Sequence, residues 1–225
     1  HDLAAAELLF REALAGQRET LGNLHPHTLM TISNLGLLQQ KKGQLAAAEP
    51  LLREALKGRR DTLGSRHLDT LNSINSLGVL LRSKGGKADL AAAELLLHEA
   101  LEGQRETLGN RHPHTLSSIC NLGLLLEDKG DLTAAEPLLR EVVEVQRETR
   151  GIRHPATLSS VSSLGLLLRD KGDLAAAAKL LREVVEVQRE TLGNRHPDTL
   201  SSIYRLGMLL KAKDNLAAAM LLLRE

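Results

Sequence analysis

A five-residue signal, His-x-x-Thr-Leu, recurs at His25, His67, His112, His154 and His196, so that successive copies stand 42, 45, 42 and 42 residues apart. A fixed period of this size confines a chain to architectures in which each copy is one supersecondary unit, burying its apolar face only against the next. Length then counts repeats rather than globules. The period divides the chain into a half repeat at 1–22, repeats at about 25–64, 67–109, 112–151 and 154–193, and a final partial repeat at 196–225. One elongated domain, residues 1–225, is the expectation. The single long interval comes from Gly86, Lys87 and Ala88, which read as lengthening a turn.

Within a repeat, Leu116, Ile119, Leu122, Gly123 and Leu126 return at steps of three and four, the stripe of an α-helix. This first helix of the repeat, helix A, opens near Leu29, Leu71, Leu116, Leu158 and Leu200, with a preceding His-Pro, suited to a helix start, in every copy but the one at His67. Lys129-Gly130-Asp131 reads as a glycine able to take positive φ followed by an Asp N-cap. A turn that short makes the second helix, helix B, antiparallel to the first. Helix B buries Leu132, Ala135, Leu138, Leu139, Val142 and Val145, and turns Arg140, Glu141, Glu144 and Arg147 outward. It ends at Gly22, Gly64, Gly109, Gly151 and Gly193. Glycine also stands inside helix A, at Gly36, Gly78, Gly123, Gly165 and Gly207, against a helix propensity cost of about 1 kcal/mol each. Close approach of helix B would offset that cost, with Ala48, Ala93, Ala135, Ala177 and Ala219 as small partners. Pro50 and Pro137 predict a kink or a late start in their helices B, and the sequence gives them no functional role.

Aromatic residues are 1% of the chain, Phe10 and Tyr204, while hydrophobic residues are 42%, so the core is built from Leu, Ala, Val and Ile. Twenty-nine Lys and Arg against 28 Asp and Glu leave a net charge of +1. That balance offers no general field for nucleic acid or an anionic membrane, and two aromatic side chains supply no stacking platform for single strands. No apolar run reaches the roughly 18 residues of a membrane span. A lone Cys120 excludes an internal disulfide framework and, with no Asn-x-Ser/Thr acceptor, points to a reducing, intracellular and cytoplasmic setting. Beginning at His1 without Met, the chain reads as cut from something longer.

At HPHTL (His112 to Leu116), NLGLLL (Asn121 to Leu126), KGDL (Lys129 to Leu132) and AAEPLLREVV (Ala134 to Val143), the chain resembles the tetratricopeptide repeat, in its 42-residue kinesin light chain variety. The resemblance covers essentially all of the sequence. It implies an all-α, right-handed α-solenoid of antiparallel helix pairs, with helices A lining a concave wall that holds peptide segments of partner proteins. The sequence departs where a tyrosine often follows the helix A glycine by three residues: Gln39, Leu81, Leu126, Leu168 and Leu210 stand there.

Comparing repeats within the chain separates packed positions from variable ones. The variable face of helix A carries Met30, Asn72, Ser117, Ser159 and Ser201, then Ser33, Asn75, Cys120, Ser162 and Tyr204, then Asn34, Ser76, Asn121, Ser163 and Arg205, and finally Gln40, Arg82, Glu127, Arg169 and Lys211. As candidate peptide-binding residues these give Ser33, Asn34, Asn75, Arg82, Cys120, Asn121, Ser162, Arg169, Tyr204, Arg205 and Lys211. The asparagines are the sharpest, because an amide donates to and accepts from a peptide backbone at once. Helices about 10 Å apart would present a groove for an extended ligand of some 12 to 15 residues at about 3.3 Å each.

Chemistry finds no footing. His25 with His27, and His112 with His114, look like paired metal ligands, yet the repeated histidines fall on successive repeats and cannot converge on one ion; they read as structural starts of helix A. His98-Glu99-Ala100-Leu101-Glu102 lacks the second His of a zinc protease helix, no phosphate-binding loop occurs, and Cys120 has no evident activating base. The expected function is a non-enzymatic interaction scaffold, without cofactor or metal, for a protein or peptide partner. Two other roles fit the same features: a structural solenoid that self-associates head to tail through uncapped ends, or the sensor or regulatory repeat region of a larger multidomain protein.

Overall fold

A computed structural model describes residues 3–212. Among the described residues no strand occurs and ten helices follow one another: α1 (Leu3–Thr20), α2 (Pro26–Lys41), α3 (Leu45–Leu63), α4 (Leu68–Lys84), α5 (Lys87–Leu108), α6 (Pro113–Asp128), α7 (Leu132–Arg150), α8 (Pro155–Asp170), α9 (Leu174–Leu192) and α10 (Pro197–Ala212). Even-numbered helices are helices A and odd-numbered ones helices B. The short final helix B expected at Asn215 to Glu225, and Ala219 within it, lie outside the described residues. The chain forms two compact units, His1–Leu125 and Leu126–Glu225, divided inside α6. In the first, α1 packs on α2, α2 on α3, α3 on α4 and α4 on α5; in the second, α7 packs on α8, α8 on α9 and α9 on α10.

Helices A begin three residues before the apolar stripe, at the residue after the repeated His. The imidazole explains why. Nδ1 of His25, His67, His112 and His196 accepts the amide of His27, Asp69, His114 and Asp198 at 3.2 Å, and Nδ1 of His154 accepts that of Ala156 at 3.1 Å. Each ring thereby satisfies one of the orphan donors of a helix N-terminus. The rings of His25 and His27 stack at 5.3 Å, as do those of His112 and His114. Threonine of the same signal is fully buried in all five copies. Thr115, Thr157 and Thr199 donate to the carbonyls of Gln104, Gln146 and Gln188, each at the limiting distance of 3.5 Å, and Thr115 reaches Gly109 O at 2.8 Å. In these three copies the signal starts one helix while tying it to the end of the one before.

The turn from A to B also follows the sequence. Gly130 takes φ 81°, and Asp131 then accepts the amide of Ala134 at 3.0 Å; Asp173 does the same for Ala176. The three-residue insertion does not lengthen this turn. Gly85 still closes α4 at φ 73°, and α5 opens at once on Lys87, so that helix is 22 residues long against 19 for α3, α7 and α9. Three residues are close to one 3.6-residue turn, which leaves the apolar stripe facing the same way.

Helix A buries Leu116, Ile119, Leu122 and Leu126, and helix B buries Ala135, Leu139 and Val142, with Leu125 added to the expected stripe. Leu132, Leu138 and Val145 are half-buried, and so are Glu141 and Arg147 of the outward set. Glycine in helix A does permit close approach, but the group it admits is mainly a leucine. A Cβ on Gly36 would lie 2.8 Å from Leu52 Cδ2, one on Gly78 2.8 Å from Leu97 Cδ2, and one on Gly165 3.1 Å from Leu181 Cδ2. The small partner contributes backbone: Ala93 O lies 3.5 Å from the Gly78 position, and Ala48, Ala93, Ala135 and Ala177 are wholly buried.

Pro50 and Pro137 do not delay their helices, since α3 and α7 start at Leu45 and Leu132 and run unbroken for as long as α9, which has Lys179 there. Both prolines are exposed, and so are Ala46 and Thr133, whose carbonyls the missing amides would have met four residues back. Water can take those carbonyls, which is why the ring is tolerated on this side of the helix.

Candidate interaction surface on helices A

The outer edge of the repeats is knit by charge. Arg18 reaches Glu54 at 2.6 Å, Arg60 grips both oxygens of Glu99 at 2.7 Å, and Arg147 meets Glu183 at 2.6 Å, each joining one helix B to the next. Lysines at the ends of helices A point back one repeat: Lys42 to Glu7, Lys84 to Glu49 and Lys171 to Glu136. Hydrogen bonds from Lys42 and Gln39 hold the Glu7 carboxyl below its ordinary range, and those from Lys84 and Arg53 do so for Glu49. With these residues committed to holding repeats together, the variable face of helices A is left for other work.

The structure separates the residues of that face into three groups. Ser33 and Ser162 are buried, although Ser162 still borders a cavity between α8 and α10. Asn34, Asn75, Arg82, Cys120 and Asn121 are half-buried, while Arg169, Tyr204, Arg205 and Lys211 are exposed. Tyr204, at the position of Ser33 and Ser162 in α10, stands 62% exposed.

Two of the asparagines are engaged with one another. Asn75 Oδ1 in α4 accepts from Asn121 Nδ2 and from Ser118 Oγ in α6, both at 3.1 Å. The bridge uses both lone pairs of the Asn75 carbonyl. A second amide contact, Gln104 Nε2 to Asn72 Oδ1 at 3.3 Å, fastens α5 to α4. Arg169 is turned aside, donating to Asp170 at 2.7 Å, and that bond raises its pKa further.

In the second unit a cavity of about 720 Å³ opens between α8 and α10. Ser159, Ser163 and Leu166 line one side and Ser201 and Arg205 the other, with Gln188 at the end of α9 closing one margin. Three serines and an arginine of the variable face thus meet in one concavity, over an apolar patch from Leu158 and Leu166. Of the residues singled out by variation between repeats, Ser162 and Arg205 border this cavity. Variation did not locate Gln188, Thr191 and Leu192, because the Gln-Arg-Glu-Thr-Leu-Gly ending of helix B repeats almost unchanged and so reads as framework. Among the described residues no group of three or more His, Cys, Asp or Glu could hold a metal.

The pattern of the tetratricopeptide repeat family matches residues 1–61, 87–148, 120–190 and 155–225. The chain belongs to the tetratricopeptide repeat family. Its nearly unbroken run of helix pairs is an all-α helical repeat solenoid, similar to a solved structure of a Podosopora anserina putative kinesin light chain with nearly identical TPR-like repeats. That likeness has 30% identity and a TM-score of 0.78, over 89% of this chain and 93% of that one. BtubC (BKLC) from P. vanneervenii shares the fold at 20% identity and a TM-score of 0.80, over 99% of this chain and 88% of that one. RapI in its apo form shares it at 13% identity and 0.72, over 87% and 68%. No curated protein matches.

Proposed function

We propose that the chain is a non-enzymatic scaffold that holds an extended segment of a partner protein against the variable face of its helices A. The α8–α10 cavity carries the reading: it gathers Ser159, Ser163, Ser201 and Arg205, which change in character between repeats, onto a floor from Leu158 and Leu166, positions that stay apolar in every repeat. Backbone amides of an extended segment find hydroxyl partners there, and Arg205 favours a carboxylate in the segment. In the first unit the half-buried Asn75 and Asn121 would offer the same kind of contact. Work of this kind needs no cofactor, and the lone Cys120 suits a reducing, cytoplasmic setting.

A display library of random peptides, panned against the 225-residue chain, tests the assignment. Enriched peptides are then measured by fluorescence anisotropy against Arg205→Glu and Ser163→Trp, with Lys179→Glu on the exposed side of α9 as control. The expected result is a loss of more than about tenfold with either helix A substitution and none with the control. Peptides that bind both variants like the parent chain, or a library that enriches nothing, overturn it.

A further inference from the structure

Two residues that depart from the repeat pattern of helices B meet in one groove. Leu95 in α5 stands where α3, α7 and α9 have Pro50, Pro137 and Lys179, and it is 75% exposed. Lys57 in α3 stands where α5, α7 and α9 carry Glu102, Glu144 and Glu186. Both line a groove of about 530 Å³ between α3 and α5, floored by α4, inside the first unit.

The floor is apolar and the two walls differ. Leu56, Leu77 and Leu81 form the floor and are buried. Ala92, Leu95 and Leu96 make an α5 wall without charge. Arg53, Lys57, Arg60 and Asp61 make the α3 wall, one stripe of that helix about 12 Å long. The corresponding stripe of α7 is Arg140, Glu144, Arg147 and Glu148, two bases against two acids. With Lys57 the α3 wall holds three bases against one acid. Arg53 is taken by Glu49 and Arg60 by Glu99. Among the described residues no acid pairs with Lys57, which is exposed and so is the cation of this wall left for a ligand.

Backbone chemistry selects the occupant. Leucine and alanine side chains offer nothing to peptide N–H and C=O groups, so an extended segment laid on this floor would leave them unpaired. A helix arrives with its backbone satisfied from within, and an amphipathic one covers the leucines with its own apolar stripe.

We propose that the α3–α5 groove docks an amphipathic helix of a partner protein. Its apolar stripe lies over Leu56, Leu77 and Leu95, and an aspartate or glutamate on one flank meets Lys57. The flank toward α5 carries no charge. This surface belongs to helices B, so the inference does not depend on the peptide site of helices A.

A display library of single helices about three turns long, randomised along one face and panned against the 225-residue chain, supplies the probes. Enriched helices should carry leucine-like residues at i and i+3 or i+4 and an acid on one flank. Fluorescence anisotropy then measures them against variants borrowed from other repeats, which keep the parent's helical circular dichroism. Leu95→Lys, the residue of α9, weakens binding more than about tenfold. Lys57→Glu, the residue of α7 and α9, weakens it about three- to tenfold, and exchanging the helix's acid for lysine restores it. Lys179→Glu, at the matching place in α9, changes nothing. A proline in the middle of the enriched helix abolishes binding. A library that enriches nothing, or helices that bind Leu95→Lys like the parent chain, overturn the proposal. So does a proline-broken peptide that binds equally well, or sedimentation showing that the chain self-associates through this groove and that Leu95→Lys abolishes it, which would make the occupant a second copy.

Discussion

Asn75 in α4 and Asn121 in α6, 46 positions apart in the chain, join through a 3.1 Å hydrogen bond, and Ser118 shares the same acceptor. A side chain that the sequence offers as a ligand contact is therefore also a strut between neighbouring helices A. Asn75→Ala leaves the Asn121 amide and the Ser118 hydroxyl without their shared acceptor, and should lower stability by about 1 to 2 kcal/mol in urea denaturation. Asn34→Ala, in α2, should stay within about 0.5 kcal/mol. Equal losses for the two would remove the strut. Because of this double duty, loss of peptide binding on changing Asn75 or Asn121 does not by itself locate the peptide.

The histidine caps make a separable prediction. His112→Ala removes an N-cap acceptor and should cost about 1 kcal/mol, whereas His112→Asn, which also caps, should cost a few tenths. Thermal midpoints of the two variants decide it. Were the histidine instead needed for its ring, Asn would be no better than Ala.

Glycine inside helix A is held by packing against helix B. Gly78→Ala gains helix propensity of about 1 kcal/mol but sets a Cβ 2.8 Å from both Cγ and Cδ2 of Leu97, and overpacking costs about 1 to 3 kcal/mol. The net change should be destabilising. Gly165→Ala, with its nearest contact at 3.1 Å, should be milder. Gly16→Ala, in open space, should stabilise the isolated chain by about 0.5 to 1 kcal/mol. Chemical denaturation that ranks the three in another order refutes the packing account.

Acid should loosen the repeats at Glu7 and Glu49. Both carboxyls are held below the ordinary glutamate value of 4.5, first by the bonds from Lys42 and Lys84 and then by those from Gln39 and Arg53. A depressed folded-state pKa means that the stabilisation is complete above that ordinary value and is lost as pH falls through the lower, folded one. Thermal midpoints taken from pH 6 downward should fall more steeply below 4.5 in the parent chain than in Glu7→Gln or Glu49→Gln. Parallel curves would mean that these pairs contribute nothing to folding.

Much of this molecule was legible before any coordinates. His-x-x-Thr-Leu marked five helix starts, Lys-Gly-Asp a positive-φ glycine and a cap, and the three- and four-residue steps the buried stripe, since each depends on residues within one or two helical turns. Two of the readings that failed did so for the opposite reason. The insertion at Gly86 to Ala88 was absorbed into α5, because Lys87 and Ala88 can extend a helix as readily as a loop once Gly85 has closed α4. The glycine of helix A admits leucine where alanine seemed the partner, because which side chain enters a gap depends on how two helices cross.

The sequence by itself determined the repeat, the antiparallel helix pair and the residues that begin and end each helix. Only the tertiary structure decided that Ser33 and Ser162 are buried, that Asn75 spends its carbonyl on Asn121, and that leucine enters the gap at the helix A glycine. The physical reason is range. Helical period assigns a residue to a face, but whether that face meets solvent, a ligand or another helix is set by a neighbour about one repeat away, whose approach is fixed by packing.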